Sequence, residues 1–193
     1  MKIGVYVGSF NPIHFAHLKI ALQFLNSKLL DKIIFVPAGD EYEKKGLESG
    51  KHRFQMVKIA TQNNPNFLVS DIEIKHRKLS TYKTLEIFRE EYPNDEIVLI
   101  MGADNLKEIY WWDNADILLS QYKIYVMTRN GLHQENFPEY KDNKNILFIN
   151  FDIDICATNI RKDIEKQRFD DVIKNVPLEV VEYIKTNKLY GAK

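Results

Sequence analysis

Gly8-Ser9-Phe10-Asn11-Pro12-Ile13-His14-Phe15-Ala16-His17 comes directly after the apolar run Ile3, Val5, Tyr6 and Val7. A buried strand that breaks at Gly8 and restarts as a helix near His17 offers backbone N–H groups where a parallel sheet opens its ligand crevice, which suits phosphate. His14 and His17 stand three apart at the start of that helix, so both imidazoles can reach one bound anion. Gly8 permits close backbone approach, while Pro12 fixes its own φ and restricts Asn11. A fragment of a metal site and a plain helix cap are the two other readings of the histidine pair. Against the first, no third ligand stands at metal-site spacing, and Cys156, the only cysteine, lies far along the chain.

Working outward, short apolar runs bounded by polar turns recur at 3–7, 33–36, 67–69, 97–101, 124–127 and 146–149. Segments with helical periodicity fall between several of them, at 18–30, 52–61, 81–91 and 106–119, the last with a break. Strands that alternate with helices imply a mainly parallel, helix-covered sheet. Gly39 to Lys51 and Arg129 to Asn145 are polar and carry glycine or proline, and they read as exposed excursions. No internal repeat or low-complexity tract interrupts the pattern.

The 193 residues are 45% hydrophobic and 28% charged, which suits one domain over 1–193, with 155–193 as its C-terminal helical part. Twenty-seven Lys and Arg balance twenty-seven Asp and Glu, so no global field draws in nucleic acid. One cysteine leaves no disulfide framework, and no apolar run is long enough for a bilayer. The N-terminus has no secretory pattern, so the expected address is cytoplasmic, with no membrane partner. Oligomeric state is open, a homo-oligomer included.

Three further places carry candidate chemistry. In Ile155-Cys156-Ala157-Thr158-Asn159-Ile160-Arg161 a late helix begins, where N–H groups, the Thr158 hydroxyl and the Arg161 charge suit phosphate. Cys156 reads as a small packing residue. Asp104, after the most apolar strand, suits a ribose or a helix N-cap. Trp111 and Trp112 suit stacking on a heteroaromatic ring or core packing, and core packing is expected for at least one of them.

The first loop resembles the G-x-F-x-P-x-H-x-G-H signature of the nucleotidylyltransferase superfamily, with Ser9 and Ala16 as small replacements. Ile155 to Arg161 resembles its I-S-S-T-x-I-R signature, with Cys156 and Ala157 in place of two serines. The spacing from Gly102-Ala103-Asp104-Asn105-Leu106 to Trp112 is similar to that of the bacterial nicotinate-nucleotide adenylyltransferase family. His52-Arg53-Phe54-Gln55-Met56, Thr81-Tyr82-Lys83-Thr84-Leu85, Thr128 to Gly131, and Val176 to Ile184 with Leu189-Tyr190 near the C-terminus resemble further stretches of it. After Val36-Pro37 the chain departs from the family's proline-rich His-Lys loop, keeping only Lys44 and Lys45 as cations.

This resemblance implies an α/β, Rossmann-like doubly wound, mainly parallel sheet with helices on both faces. It implies adenylyl transfer from ATP to nicotinate mononucleotide, giving nicotinate adenine dinucleotide and pyrophosphate, with Mg²⁺ bound through ATP phosphates. It gives His14 and His17 catalytic roles on the triphosphate. ATP phosphates fall to Gly8, Ser9 and Phe10, to Thr158, Ile160 and Arg161, and to Lys44 or Lys45. Asp104 takes a ribose, Trp112 the pyridine ring, and Thr81 and Arg129 the acceptor region. The competing readings are an adenylyltransferase for nicotinamide mononucleotide or phosphopantetheine, and a non-catalytic nucleotide-binding module.

Overall fold

The computed structural model describes residues 1–41, 46–76, 78–128, 131–151 and 155–193. Its described strands are β1 (Lys2–Gly8), β2 (Lys32–Pro37), β3 (Phe67–Val69), β4 (Glu96–Gly102), β5 (Lys123–Thr128) and β6 (Ile146–Asn150). All neighbouring pairs are parallel, in the order β3-β2-β1-β4-β5-β6. Each of the six apolar runs in the sequence became a strand, because a strand covered on both faces has no need of polar alternation.

Alternation survives as a division between two apolar layers. Tyr6, Ile33, Phe35, Val98, Ile100, Tyr125 and Met127 point to one face, where they meet α1 (Phe15–Asn26), α2 (Gly50–Thr61), α7 (Ala157–Glu165) and α9 (Leu178–Thr186). Ile3, Val5, Ile34, Val36, Leu99, Met101 and Val126 point to the other, covered by α4 (Thr81–Glu91), α5 (Ala103–Leu106) and α6 (Ala115–Gln121). Two short helices, α3 (Ile72–Lys75) and α8 (Phe169–Val172), complete the described set.

The expected Rossmann-like architecture is therefore present, with helix boundaries that differ in detail. Helix α1 starts at Phe15 rather than His17 and ends at Asn26, where Ser27 closes its last turn and donates to the Gln23 carbonyl at 2.7 Å. The periodic segment 106–119 is divided into α5, a 3-10 turn at Ile109–Trp111 and α6, because Trp112 is extended and Asn114 is left-handed (φ 53°). The 131–145 part of the second excursion is not simply exposed: Phe137 and Tyr140 are buried in the second layer. Among the described residues, no helix is long and apolar enough to cross a membrane.

Candidate active site

Strand order reverses between β1 and β4: the chain runs outward from β1 through β2 to β3, then returns and runs outward from β4 through β5 to β6. Loops leaving the C-terminal ends of β1 and β4 therefore diverge and open a crevice. A cavity of about 670 Å³ lies there, lined by Gly8, Ser9 and His17 on the β1 side and by Gly102, Asp104 and Trp112 on the β4 side. Thr81 lines it as well.

Gly8 ends β1 under the Phe10 ring, which would stand 3.0 Å from any Cβ placed there. Phe10 itself adopts φ 42° and is 1% exposed, edge-on to Tyr6 and His17. Its side chain is a wedge beneath the loop, so only its backbone can meet a ligand. This wedge lifts the Gly8–Ser9 backbone to the cavity floor.

His14 caps α1 and is 2% exposed. Its ring stacks on that of His17, with centroids 3.7 Å apart, and its backbone N–H donates to His17 Nδ1 at 3.2 Å. Because Nδ1 accepts, the neutral His17 ring carries its proton on Nε2, the nitrogen turned away from the helix start. Of the two rings, His17 lines the cavity and His14 packs behind it.

Asp104 lies in the first turn of α5 and Trp112 ends the following 3-10 turn. Trp112 lines the cavity and packs against the second apolar layer, whereas Trp111 is 89% exposed. Neither indole is fully buried, so the expectation of a core tryptophan is met only in part. Thr81 opens α4 behind Ser80, whose hydroxyl accepts from the Lys83 N–H and donates to Asp113.

Thr158 and Arg161 are not among the residues that line this cavity. They line a shallower depression with Gly46, Lys162, Glu165 and Tyr190. Arg161 Nη1 donates to the Asn11 carbonyl at 2.7 Å, and Nη2 donates to the Thr158 hydroxyl at 3.3 Å. The phosphate loop and α7 are thus joined through Asn11. Ile160 is 2% exposed and packs in the first apolar layer, so its side chain is structural. Cys156 is exposed at the N-cap of α7, which corrects its reading as a packing residue. Lys44, Lys45 and Arg129 lie outside the described residues. No group of three His, Cys, Asp or Glu among the described residues could hold a metal ion.

Sequence reading missed three residues that organise this region. Asn11 is buried; its Nδ2 donates to the Gly46 carbonyl, while its Oδ1 accepts from the Glu48 N–H and the Tyr190 hydroxyl. Arg53 is fully buried beneath the β1 and β2 loops. Glu73 is 6% exposed and accepts from the Thr84 hydroxyl, and burial pushes its carboxyl up to about 7. For Arg53 a signal existed: it shares a buried face with Met56 and Val57 at i, i+3 and i+4.

Residues 5–190 match the cytidylyltransferase-like family model. The chain is 36% identical to a Clostridium tetani protein named "Probable nicotinate-nucleotide adenylyltransferase", over 98% of each chain. Proteins of the same name in Carboxydothermus hydrogenoformans and Flavobacterium johnsoniae are 38% and 39% identical, covering 98% of this chain and 98% and 99% of theirs. The fold superposes on Plasmodium falciparum nicotinic acid mononucleotide adenylyltransferase complexed with NaAD at a TM-score of 0.81. That match is 22% identical and covers 100% of this chain and 98% of the other. By these matches the chain belongs to the cytidylyltransferase-like family and, within it, to the nicotinate-nucleotide adenylyltransferases.

Proposed function

We infer that this protein transfers the adenylyl group of ATP to nicotinate mononucleotide, releasing pyrophosphate and forming nicotinate adenine dinucleotide. The acceptor phosphate oxygen attacks the α-phosphorus in line as the bond to the pyrophosphate oxygen breaks. No protein nucleophile is needed, and catalysis comes from aligning two anions and meeting the charge that develops on the leaving group.

The observation that carries the reading is the hydrogen bond from the His14 N–H to His17 Nδ1, beside a glycine loop at the reversal of strand order. It fixes the tautomer and the direction of the His17 ring on a cavity wall. In this reading His17 donates to the triphosphate, and His14 acts through its backbone and its stacked ring. The Gly8, Ser9 and Phe10 backbone supplies further donors. Asp104 accepts from a ribose hydroxyl, Trp112 stacks on the pyridine ring, and Thr81 borders the acceptor end. Arg161 and Thr158, with the backbone at Ile160, serve the outer phosphates once the Asn11 carbonyl gives way to a stronger anionic acceptor. Lys44, Lys45 and Arg129 are proposed from the sequence alone.

Mg²⁺ fits this donor set as an ion carried by the nucleotide. No acidic cluster is required of the protein, and the loop donors here are N–H groups that address phosphate oxygens. When bound, the ion neutralises triphosphate charge. Soluble nucleotides are the partners in this reading, and a cytoplasmic location accords with it.

The test is pyrophosphate release from ATP with nicotinate mononucleotide, nicotinamide mononucleotide and phosphopantetheine in parallel. Release with the first and a loss of about 10²-fold in turnover for His17→Ala are expected. ATP binding without release on any acceptor would replace this reading by a nucleotide-binding module.

A further inference from the structure

Arg53 sits in α2 with no exposed surface, and four of its hydrogen bonds reach three different segments. Nε donates to the Glu48 carbonyl at 2.7 Å and Nη1 to the Ser9 carbonyl at 3.0 Å. Nη2 donates to the Ala38 carbonyl at 2.6 Å and to Asp40 Oδ1 at 3.1 Å. Ser9 and Ala38 belong to the loops after β1 and β2, and both line the cavity. The Ala38 N–H also donates to the Gly8 carbonyl at 2.9 Å, so the two loops run on together past the sheet.

The peptide planes carry the consequence. In a trans peptide the C=O and the next N–H point in opposite directions, and Asn11–Pro12 is the cis bond among the described residues. Drawing the Ser9 and Ala38 carbonyls onto one guanidinium therefore turns the N–H groups of Phe10 and Gly39 away from Arg53. Charge acts in the same sense. The Asp40 side chain is 55% exposed while that of Arg53 is wholly buried, so water screens the carboxylate far more than the cation. A buried positive charge remains beneath the two loops. Burial lowers the Arg53 pKa, but its bond to Asp40 opposes this and an arginine stays charged.

We propose that Arg53 is a positioning residue for the triphosphate: it orients the Phe10 and Gly39 amides of two separate loops toward one anion and supplies a buried positive charge behind them. This deepens the adenylyl-transfer reading and rests on it. A lysine cannot replace the fork, because one ammonium on a flexible stem cannot hold carbonyls of three segments in fixed directions.

The test is calorimetric binding of ATP, and separately of nicotinate mononucleotide, to the unaltered protein, Arg53→Lys and Asp40→Asn, with thermal unfolding of each. Arg53→Lys is expected to weaken ATP about tenfold or more while nicotinate mononucleotide changes by less than about threefold. Asp40→Asn loses stability, since Asp40 Oδ1 also accepts from the Gly50 N–H at 2.5 Å, but binds ATP as well as the unaltered protein or more tightly. A purely structural arginine would make both variants less stable without this split. Equal ATP binding by Arg53→Lys, equal losses for both ligands, or weakened ATP in Asp40→Asn overturns the proposal while the adenylyl-transfer reading stands. If the lysine variant does not fold, Asp40→Asn decides alone. Failure of the unaltered protein to bind ATP overturns both.

Discussion

His17 and Glu73 illustrate how one hydrogen bond or one burial sets the chemistry of a side chain. The tautomer of His17 follows from a backbone amide three residues earlier, so it is written into local sequence as H-x-x-H at a helix start. Glu73 is different: nothing adjacent to it in sequence marks it, and burial between helices raises its carboxyl to about 7. Between its ordinary value of 4.5 and about 7, the folded state holds a proton that the unfolded state has released. Stability therefore falls as pH rises through that window and is level above it, a change of about 3 kcal/mol at most. Glu73→Gln, which keeps an acceptor for Thr84, is expected to flatten the profile. Urea midpoints at pH 5 and about pH 8 measure it, and an unchanged slope would remove Glu73 as its source. Trp112 and Trp111 show the limit at this scale, since neighbours of the same type differ only in which way the turn at Ile109–Trp111 points them.

Among elements, the described parts of the long loop after β2 are held by contacts from far along the chain. Asn11 joins Gly46 and Glu48 to the first loop, and Tyr190, 179 residues away, donates its hydroxyl to the same Asn11 oxygen at 2.8 Å. Tyr190 is itself left-handed (φ 55°), and burial raises its phenol, so it serves as a neutral donor. Tyr190→Phe leaves the Asn11 bonds to Gly46 and Glu48 in place and removes one buried donor. The expected cost is about 1 kcal/mol, read from the shift in denaturant midpoint at constant slope. No shift would mean that water replaces the hydroxyl without loss. Local sequence does not contain this latch, because its two ends meet only after α7 and α9 have packed on the sheet. The strands, in contrast, were legible one by one. The division of 106–119 into three pieces escaped periodicity, since its apolar spacing continues through a turn that Asn114 breaks.

For the molecule as a whole, the first apolar layer joins β1, α1 and α2 to Ile160, Ile164, Val180, Val181 and Ile184 from the C-terminal helices. From a core shared in this way we propose one cooperative unit over 1–193, in which 155–193 is expected not to unfold alone. Tryptophan emission, which reports Trp111 and Trp112, and far-ultraviolet dichroism should give coincident urea transitions. Separate transitions would divide the chain near 155. The sequence by itself determined the strand set, the parallel α/β class, the loop at Gly8 and the family, because apolar runs and close-range turn chemistry are local properties. Tertiary structure alone decided that Arg53 lies under two loops, that Asn11 joins four segments, that Glu73 is buried, and that Arg161 rests on a carbonyl beside a second depression. Each of these depends on which distant groups share a site, and burial and long-range hydrogen bonds exist only once the sheet has brought those groups together.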